Sequence, residues 1–276
     1  MQALSLPASA GLHWVRDGFA LLRKQLFPMM TLVLVRIFAW LFVGAIPYVG
    51  VLIALVLDPG LSAAFMYASR DVEEQRLVMP TRLVSGFQKE GGVAQRMLLL
   101  GLAYAIAMCA VALFFALIDG GEFSRMMTTG DLANADPVQG AAGPDIGSIP
   151  APIQLLMLGS VLVAMLVVAA FWFAPVLVAW HGVTPMKAVF FSVVAAWRCR
   201  GALLVFALAM FFITLLTQAS VAIVLTLIGV PIELQVFVVL PLTTAQFALF
   251  YCAAYMSYLD AFGLRESGPP RVDTTA

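Results

Sequence analysis

The chain reads as an all-α polytopic membrane protein, and two observations predict it. Its 276 residues are 63% hydrophobic and only 11% charged, with a mean hydropathy of +1.01. A water-soluble domain is nearer half apolar and a quarter charged, so one aqueous domain has no interior large enough for this much apolar surface. The cations are also sorted along the chain in a way that orients it across a bilayer.

A spanning helix needs about 20 largely apolar residues. Six stretches qualify, roughly Leu26–Ile46, Val51–Ser69, Met97–Ile118, Pro152–Val178, Ala202–Leu227 and Ile232–Tyr258. Pro47 and Gly50 separate the first two, and Gly229 and Pro231 the last two. Gly and Pro punctuate helices, so both breaks predict tight helical hairpins. Arg16, Arg23, Lys24, Arg70, Arg76, Arg82, Lys89, Arg96, Lys187, Arg198, Arg200, Arg265 and Arg271 then fall on one side. Arg125 alone falls on the other, beside Asp119, Glu122, Asp131, Asp136, Asp145 and Glu233. Cytoplasmic loops carry the Lys/Arg excess, which puts both termini in the cytoplasm. Residues 1–25 contain Arg16, Asp17, Arg23 and Lys24 and lack the layout of a cleaved signal peptide, so the first span is expected to act as its own insertion signal.

Each hairpin is preceded by a segment expected to lie as an amphipathic helix in the cytoplasmic interface. The first places Leu12, Val15, Phe19, Leu22 and Leu26 at helical spacing. The second, Pro80–Lys89, is shorter. In the third, Met186, Val189, Phe190 and Val193 form a stripe ahead of Trp197, Arg198 and Arg200, and Thr184–Pro185 suits a helix start. Apolar faces in lipid and basic ends near anionic head groups would make membrane lipids the partners. Pro7, Pro80 and Pro185 stand 15 or 16 residues ahead of Arg23, Arg96 and Arg200, which suggests a parallel threefold repeat over 5–71, 78–182 and 184–263. One integral domain, 1–276, is expected. It carries an acidic extracytoplasmic loop at 119–149 that reads as a mobile linker, and a disordered tail at 264–276.

Arg36 lies midway along the first span, where a lone charge costs about 2.5 kcal/mol or more. Asp58 sits at nearly the same depth on the second span, about 3 Å away along the membrane normal at 1.5 Å per residue. The two are expected to pair, either as a register-fixing ion pair or as a proton or substrate site. Pro59, Pro175 and Pro241 are candidate kinks, since each removes a backbone donor. Thr217, Gln218, Thr243, Thr244 and Gln246 are expected to form a polar seam, as glue between helices or as the lining of a path. Gly60, Ala64 and Ala68, and Gly101, Ala105 and Cys109, are spaced for close helix approach. His13 and His181 adjoin Trp14 and Trp180, which reads as hydrogen bonding within an interfacial aromatic belt.

Net charge is zero, with no basic surface interleaved with aromatics, so no nucleic-acid partner is expected. The three cysteines form no CxxC pair. Nucleophile-elbow, phosphate-loop, dinucleotide and HExxH patterns are absent, so neither a cofactor, a metal nor an enzymatic reaction is expected. A homo-oligomer or a membrane-protein partner is compatible with the sequence.

Several segments resemble an uncharacterised family of bacterial six-pass inner-membrane proteins. They are Met1-Gln2-Ala3-Leu4-Ser5-Leu6-Pro7, Phe171-Trp172-Phe173-Ala174-Pro175, Trp180-His181, Ala188-Val189-Phe190-Phe191-Ser192 and Tyr255-Met256-Ser257-Tyr258-Leu259-Asp260. The family pattern has a basic residue where Leu259 stands. The layout more distantly resembles the membrane portion of glycerophosphodiester phosphodiesterase relatives, whose catalytic domain has no counterpart here. The resemblance implies a fold and the bacterial inner membrane, and no reaction. The reading is a non-enzymatic envelope protein with a structural, regulatory or assembly role. The alternative is a transporter or channel for a small solute or lipid built around Arg36 and Asp58.

Overall fold

A computed structural model describes residues 4–47, 49–87, 92–118 and 151–265, with side chains from Gln154 onward in the last stretch. The acidic loop with Arg125, Lys89 and the tail from 266 with Arg271 lie outside the described residues. Among those described, the helices are α1 (Ala10–Leu22), α2 (Leu26–Gly44), α3 (Gly50–Glu73), α4 (Val93–Ile118), α5 (Ala151–Phe171), α6 (Ala174–His181), α7 (Pro185–Arg198), α8 (Arg200–Leu227) and α9 (Ile232–Ala261), with a 3₁₀ segment at Pro80–Phe87. Six helical stretches are long and apolar enough to cross a membrane: α2, α3, α4, Gln154–His181, α8 and α9.

Hydropathy located these spans but placed several ends too early. The α3 helix runs on to Glu73 and α9 to Ala261. A helix continues past its apolar stretch wherever neighbours or water satisfy the next turn, and Arg70 and Glu74 pair across that last turn of α3 at 2.8 Å. The fourth span is not one helix. It breaks after Phe171 and restarts at Ala174, with Pro175 in the first turn of α6. Pro175 cannot donate to Phe171, and the Phe173 amide instead donates to Ser192 Oγ at 2.9 Å. By contrast Pro59 and Pro241 lie within continuous helices.

The surface segments interlock with the hairpins in a cycle. Each one docks on the hairpin preceding it in the ring. The 3₁₀ segment packs mainly on α3, α7 packs on α5 and α6, and α1 reaches round to α8 and α9. Small residues allow this. A Cβ on Gly18 would lie 2.6 Å from the Ala253 nitrogen, so α1 and α9 touch backbone to backbone there. Gly86 meets Gly60 in the same way, and Gly101 meets the Val56 carbonyl where α4 crosses α3. The stripe of Gly60, Ala64 and Ala68 is thus consumed inside the chain. Without a hydrophobic drive between helices in lipid, such close packing supplies the association energy.

Three expectations about the surface segments need correction. The second segment is 3₁₀ rather than α-helical over Pro80–Phe87, with Gly86 against Gly60 of α3, and Lys89 lies outside the described residues. In α1, Leu22 faces inward while Leu12 and Phe19 face outward. Trp14 is not a belt residue: it is fully buried and donates to Asp260 Oδ2 at 2.7 Å.

Buried side chains concentrate at the end of the bundle that carries the surface segments, hereafter the basic end. Phe65, Phe173, Phe206, Tyr258 and Trp14 lie there. Toward the opposite end, residues such as Leu113, Leu117, Leu162, Leu166, Leu216, Ile223 and Phe237 are exposed, as lipid-facing surface requires.

Candidate functional site around Arg36

The α2–α3 hairpin brings Arg36 and Asp58 together. Arg36 Nη2 donates to Asp58 Oδ1, and Arg36 Nη1 donates to the Tyr251 hydroxyl of α9. The guanidinium also lies 5.2 Å from the Tyr251 ring centre and 5.7 Å from that of Phe65, and those two rings stack at 4.0 Å. A cation in a low-dielectric interior needs its charge neutralised and its donors used. Here one carboxylate balances the charge, that carboxylate and one phenol take a donor each, and two rings lie alongside.

Two recesses flank this cluster. One, about 150 Å³, is lined by Arg36, Asp58, Ser62, Tyr104, Trp172 and Tyr251, among others. The second, about 240 Å³, lies between α2 and α9 and is apolar except for Arg36 and the Tyr251 hydroxyl. Arg36 and Tyr251 line both, so their hydrogen bond stands in the partition. Pro59 and Pro175 line the first recess.

The polar seam lies apart, within the α8–α9 hairpin. Gln218 Nε2 donates to Thr243 Oγ1 at 2.9 Å and to Gln246 Oε1 at 3.1 Å, and Gln246 Nε2 donates to Thr217 Oγ1. Thr244 does not join it. Its hydroxyl donates to the Pro241 carbonyl at 2.7 Å in its own helix. These groups satisfy one another, which is the geometry of interhelical glue.

No family model matches the sequence, and no solved structure matches it either. A full-length relative does. The chain is 35% identical over 277 residues to a protein named "probable inner membrane protein" of Burkholderia thailandensis, an alignment covering 100% of this chain and 99% of that one. The chain belongs to that family of bacterial inner-membrane proteins. This fits the six apolar helices, and the relative's name assigns no reaction.

Around the basic end, this inner-membrane protein presents cations beside outward apolar side chains. Just past α1, Arg23 lies 5.2 Å over the Phe19 ring. On α7, Met186, Phe190 and Trp197 are exposed by 82%, 63% and 69%, and Arg200 lies 4.9 Å over Trp197. The α7 face turned inward is Ala188, Ser192, Ala195 and Ala196. Beside the 3₁₀ segment, the buried Asp71 carboxylate lies 3.0 Å from Arg76 Nη2 and 2.5 Å from Arg82 Nε, holding both cations next to exposed Leu77, Met79 and Val84. Gln25 locks the adjoining loop, donating to the Arg76 carbonyl at 2.6 Å and accepting from the Val78 amide at 3.0 Å.

Sequence reasoning did not find Tyr251, Tyr104 or Phe65 at the Arg36 site. An aromatic within an apolar run carries no positional signal, and Tyr251 is 215 residues from Arg36. Asp71 was equally hidden among the charges that end α3. Its pairing with Arg76 and Arg82, five and eleven residues on, was legible only as local charge alternation.

Proposed function

We propose that the protein is a non-enzymatic structural or organising component of the bacterial inner membrane. Its basic end lies in the cytoplasmic interface as a lipid-binding collar, and both termini are cytoplasmic. The observation that carries this reading is α7, where Met186, Phe190 and Trp197 point away from the protein beside Arg200. An amphipathic helix of this kind lies with its apolar side chains among acyl chains and its cations among anionic head groups. The cycle of surface segment and hairpin supports reading the chain as three parallel units, 5–71, 78–182 and 184–263. The engagement of Arg36 by Asp58 and by the Tyr251 hydroxyl, across three helices, supports a register-fixing role for its ion pair.

Two measurements test the proposal. Reporter fusions at Gly130 and at the C-terminus are expected to register opposite compartments, and a shared compartment overturns the orientation. K187Q/R198Q/R200Q protein is expected to retain less co-purified anionic phospholipid than the unaltered chain, and equal retention overturns the collar.

The recess against Arg36 and Asp58 favours a second reading, passage of a small solute or lipid through the bundle. Solute flux in reconstituted vesicles that disappears in Arg36→Ala protein would select it over the structural role.

A further inference from the structure

The ends of α3, α6 and α9 converge at the basic end on an open cleft of about 560 Å³, whose chemistry the collar does not use. Its wall is aromatic. Trp180 meets Tyr258 edge-on at 5.2 Å and Tyr255 at 6.2 Å, and His181 Nε2 lies 2.7 Å from the Tyr258 hydroxyl. Its charged rim is Arg70, Glu73, Glu74 and Arg265. Three of these four are matched. Arg70 pairs with Glu74 at 2.8 Å, and Arg265 with Asp17 at 2.7 Å and Asp260 at 3.3 Å. Glu73 is different. Among the described residues it makes no direct ion pair, although Arg265 lies near enough to feel its charge, and its carboxylate accepts the Tyr255 hydroxyl.

We propose that this cleft binds the head group of a zwitterionic phospholipid carrying a primary ammonium, of the phosphatidylethanolamine type. A carboxylate without a direct ion pair among the described residues, beside aromatic rings, suits an organic cation, because carboxylate charge and ring quadrupoles both attract it. Arg70 already lies 5.6 Å over one face of Trp180, so the aromatic wall favours positive charge although that face is taken. The carboxylate selects a primary ammonium over a trimethylated one. Tyr255 fills one acceptor position on the exposed Glu73, and the others are open to a ligand that donates hydrogen bonds, which a trimethylammonium group cannot do. Arg70 and Arg265 on the rim face the phosphate that an ethanolamine head group carries a few bonds from its nitrogen. Leu259 and Leu264 on the same wall meet the glycerol end. The cleft opens where three spanning segments end, which is the depth of head groups rather than of bulk solute. The proposal goes beyond the collar reading and uses none of Lys187, Arg198 or Arg200.

The test uses the full chain in mixed vesicles holding ethanolamine, choline and glycerol phospholipids with matched acyl chains, followed by mass spectrometry of retained lipid. The ethanolamine lipid should be retained about tenfold over the choline lipid, the scale of one charge-assisted hydrogen bond that the choline lipid cannot make. E73Q should bring the two to parity, while its amide oxygen still accepts the Tyr255 hydroxyl. R198Q/R200Q should lower retention of the glycerol lipid and leave the ethanolamine preference intact, which separates this site from the collar. N-methyl and N,N-dimethyl ethanolamine lipids should be retained progressively less by the unaltered chain, a readout that needs no variant. Equal retention of ethanolamine and choline lipids, or an unchanged preference in E73Q, overturns the proposal. Soluble O-phosphoethanolamine that competes as well as the lipid would overturn the membrane source of the ligand.

Discussion

Trp14 and Asp260, 246 residues apart, share a 2.7 Å hydrogen bond that fastens the first helix to the end of the last. Arg265 steadies the same carboxylate at 3.3 Å and reaches Asp17 on α1 at 2.7 Å. The ring of hairpins is thereby closed by its own N-terminal segment. Trp14→Phe removes the donor and part of a fully buried ring. It should cost about 2–4 kcal/mol, a charged hydrogen bond plus some lost packing. Thermal unfolding in detergent measures this, with Arg265→Gln as a milder companion because its pairs are partly exposed.

Arg36 and Asp58 should behave as a coupled unit. Either Arg36→Met or Asp58→Leu alone strands a charge in the bundle, which costs about 3–5 kcal/mol. The double variant should cost no more than either single change, a coupling of about 3 kcal/mol or more in a double-mutant cycle. Strictly additive losses would show that the two side chains do not depend on one another.

The seam in the last hairpin is a set of interhelical hydrogen bonds. Gln218→Leu removes two interhelical hydrogen bonds and should cost about 0.6–1.7 kcal/mol, the range for such bonds in membrane bundles. It should leave any activity tied to Arg36 untouched. A loss as large as that of Arg36→Met would mean that the seam does more than join α8 to α9.

Close approach gives a pair of opposite outcomes. Gly101→Leu places a side chain into the Val56 backbone and should destabilise by about 1–3 kcal/mol or more. Gly201→Ala adds a Cβ only in ordinary contact, 3.6 Å from Ala8 Cβ, within helix α8. It should be neutral or stabilising by up to about 1 kcal/mol, since alanine loses less backbone freedom than glycine. Unfolding midpoints of the two variants in one detergent decide the comparison.

Thiol chemistry reports packing directly. Cys199 is fully buried and donates weakly to the Leu4 carbonyl at 3.3 Å, and burial pushes its thiol pKa up. The thiolate is the reactive form, so its fraction at neutral pH falls below that of a free cysteine and rises only in more alkaline solution. Cys199 and Cys252 should resist alkylation in the folded protein. Cys109, exposed on α4, should react with a membrane-permeant reagent. All three should react after denaturation.

Hydropathy and charge placement were enough to find six spans and to pair Arg36 with Asp58, because both rest on distances along one hairpin. The length of an apolar run sets where a helix can cross, and two residues equally far from a tight turn share a depth. The break before Pro175 was legible as a kink candidate, although its repair by Ser192 was not. The burial of Trp14 was misread, since tryptophan beside arginine looks interfacial until a partner such as Asp260 arrives from the far end of the chain. The same holds for Tyr251 on Arg36 and Tyr255 on Glu73.

From its sequence alone the chain determined that it is helical, that it crosses lipid and which of its segments carry the cations. Those properties follow from local composition, because every backbone group in a bilayer must be satisfied within its own helix. Only the tertiary structure decided which hairpin each surface segment covers, which aromatics surround Arg36 and which charged groups share the cleft at the ends of α3, α6 and α9. Those outcomes depend on contacts between helices distant in sequence, set by where glycines let backbones touch.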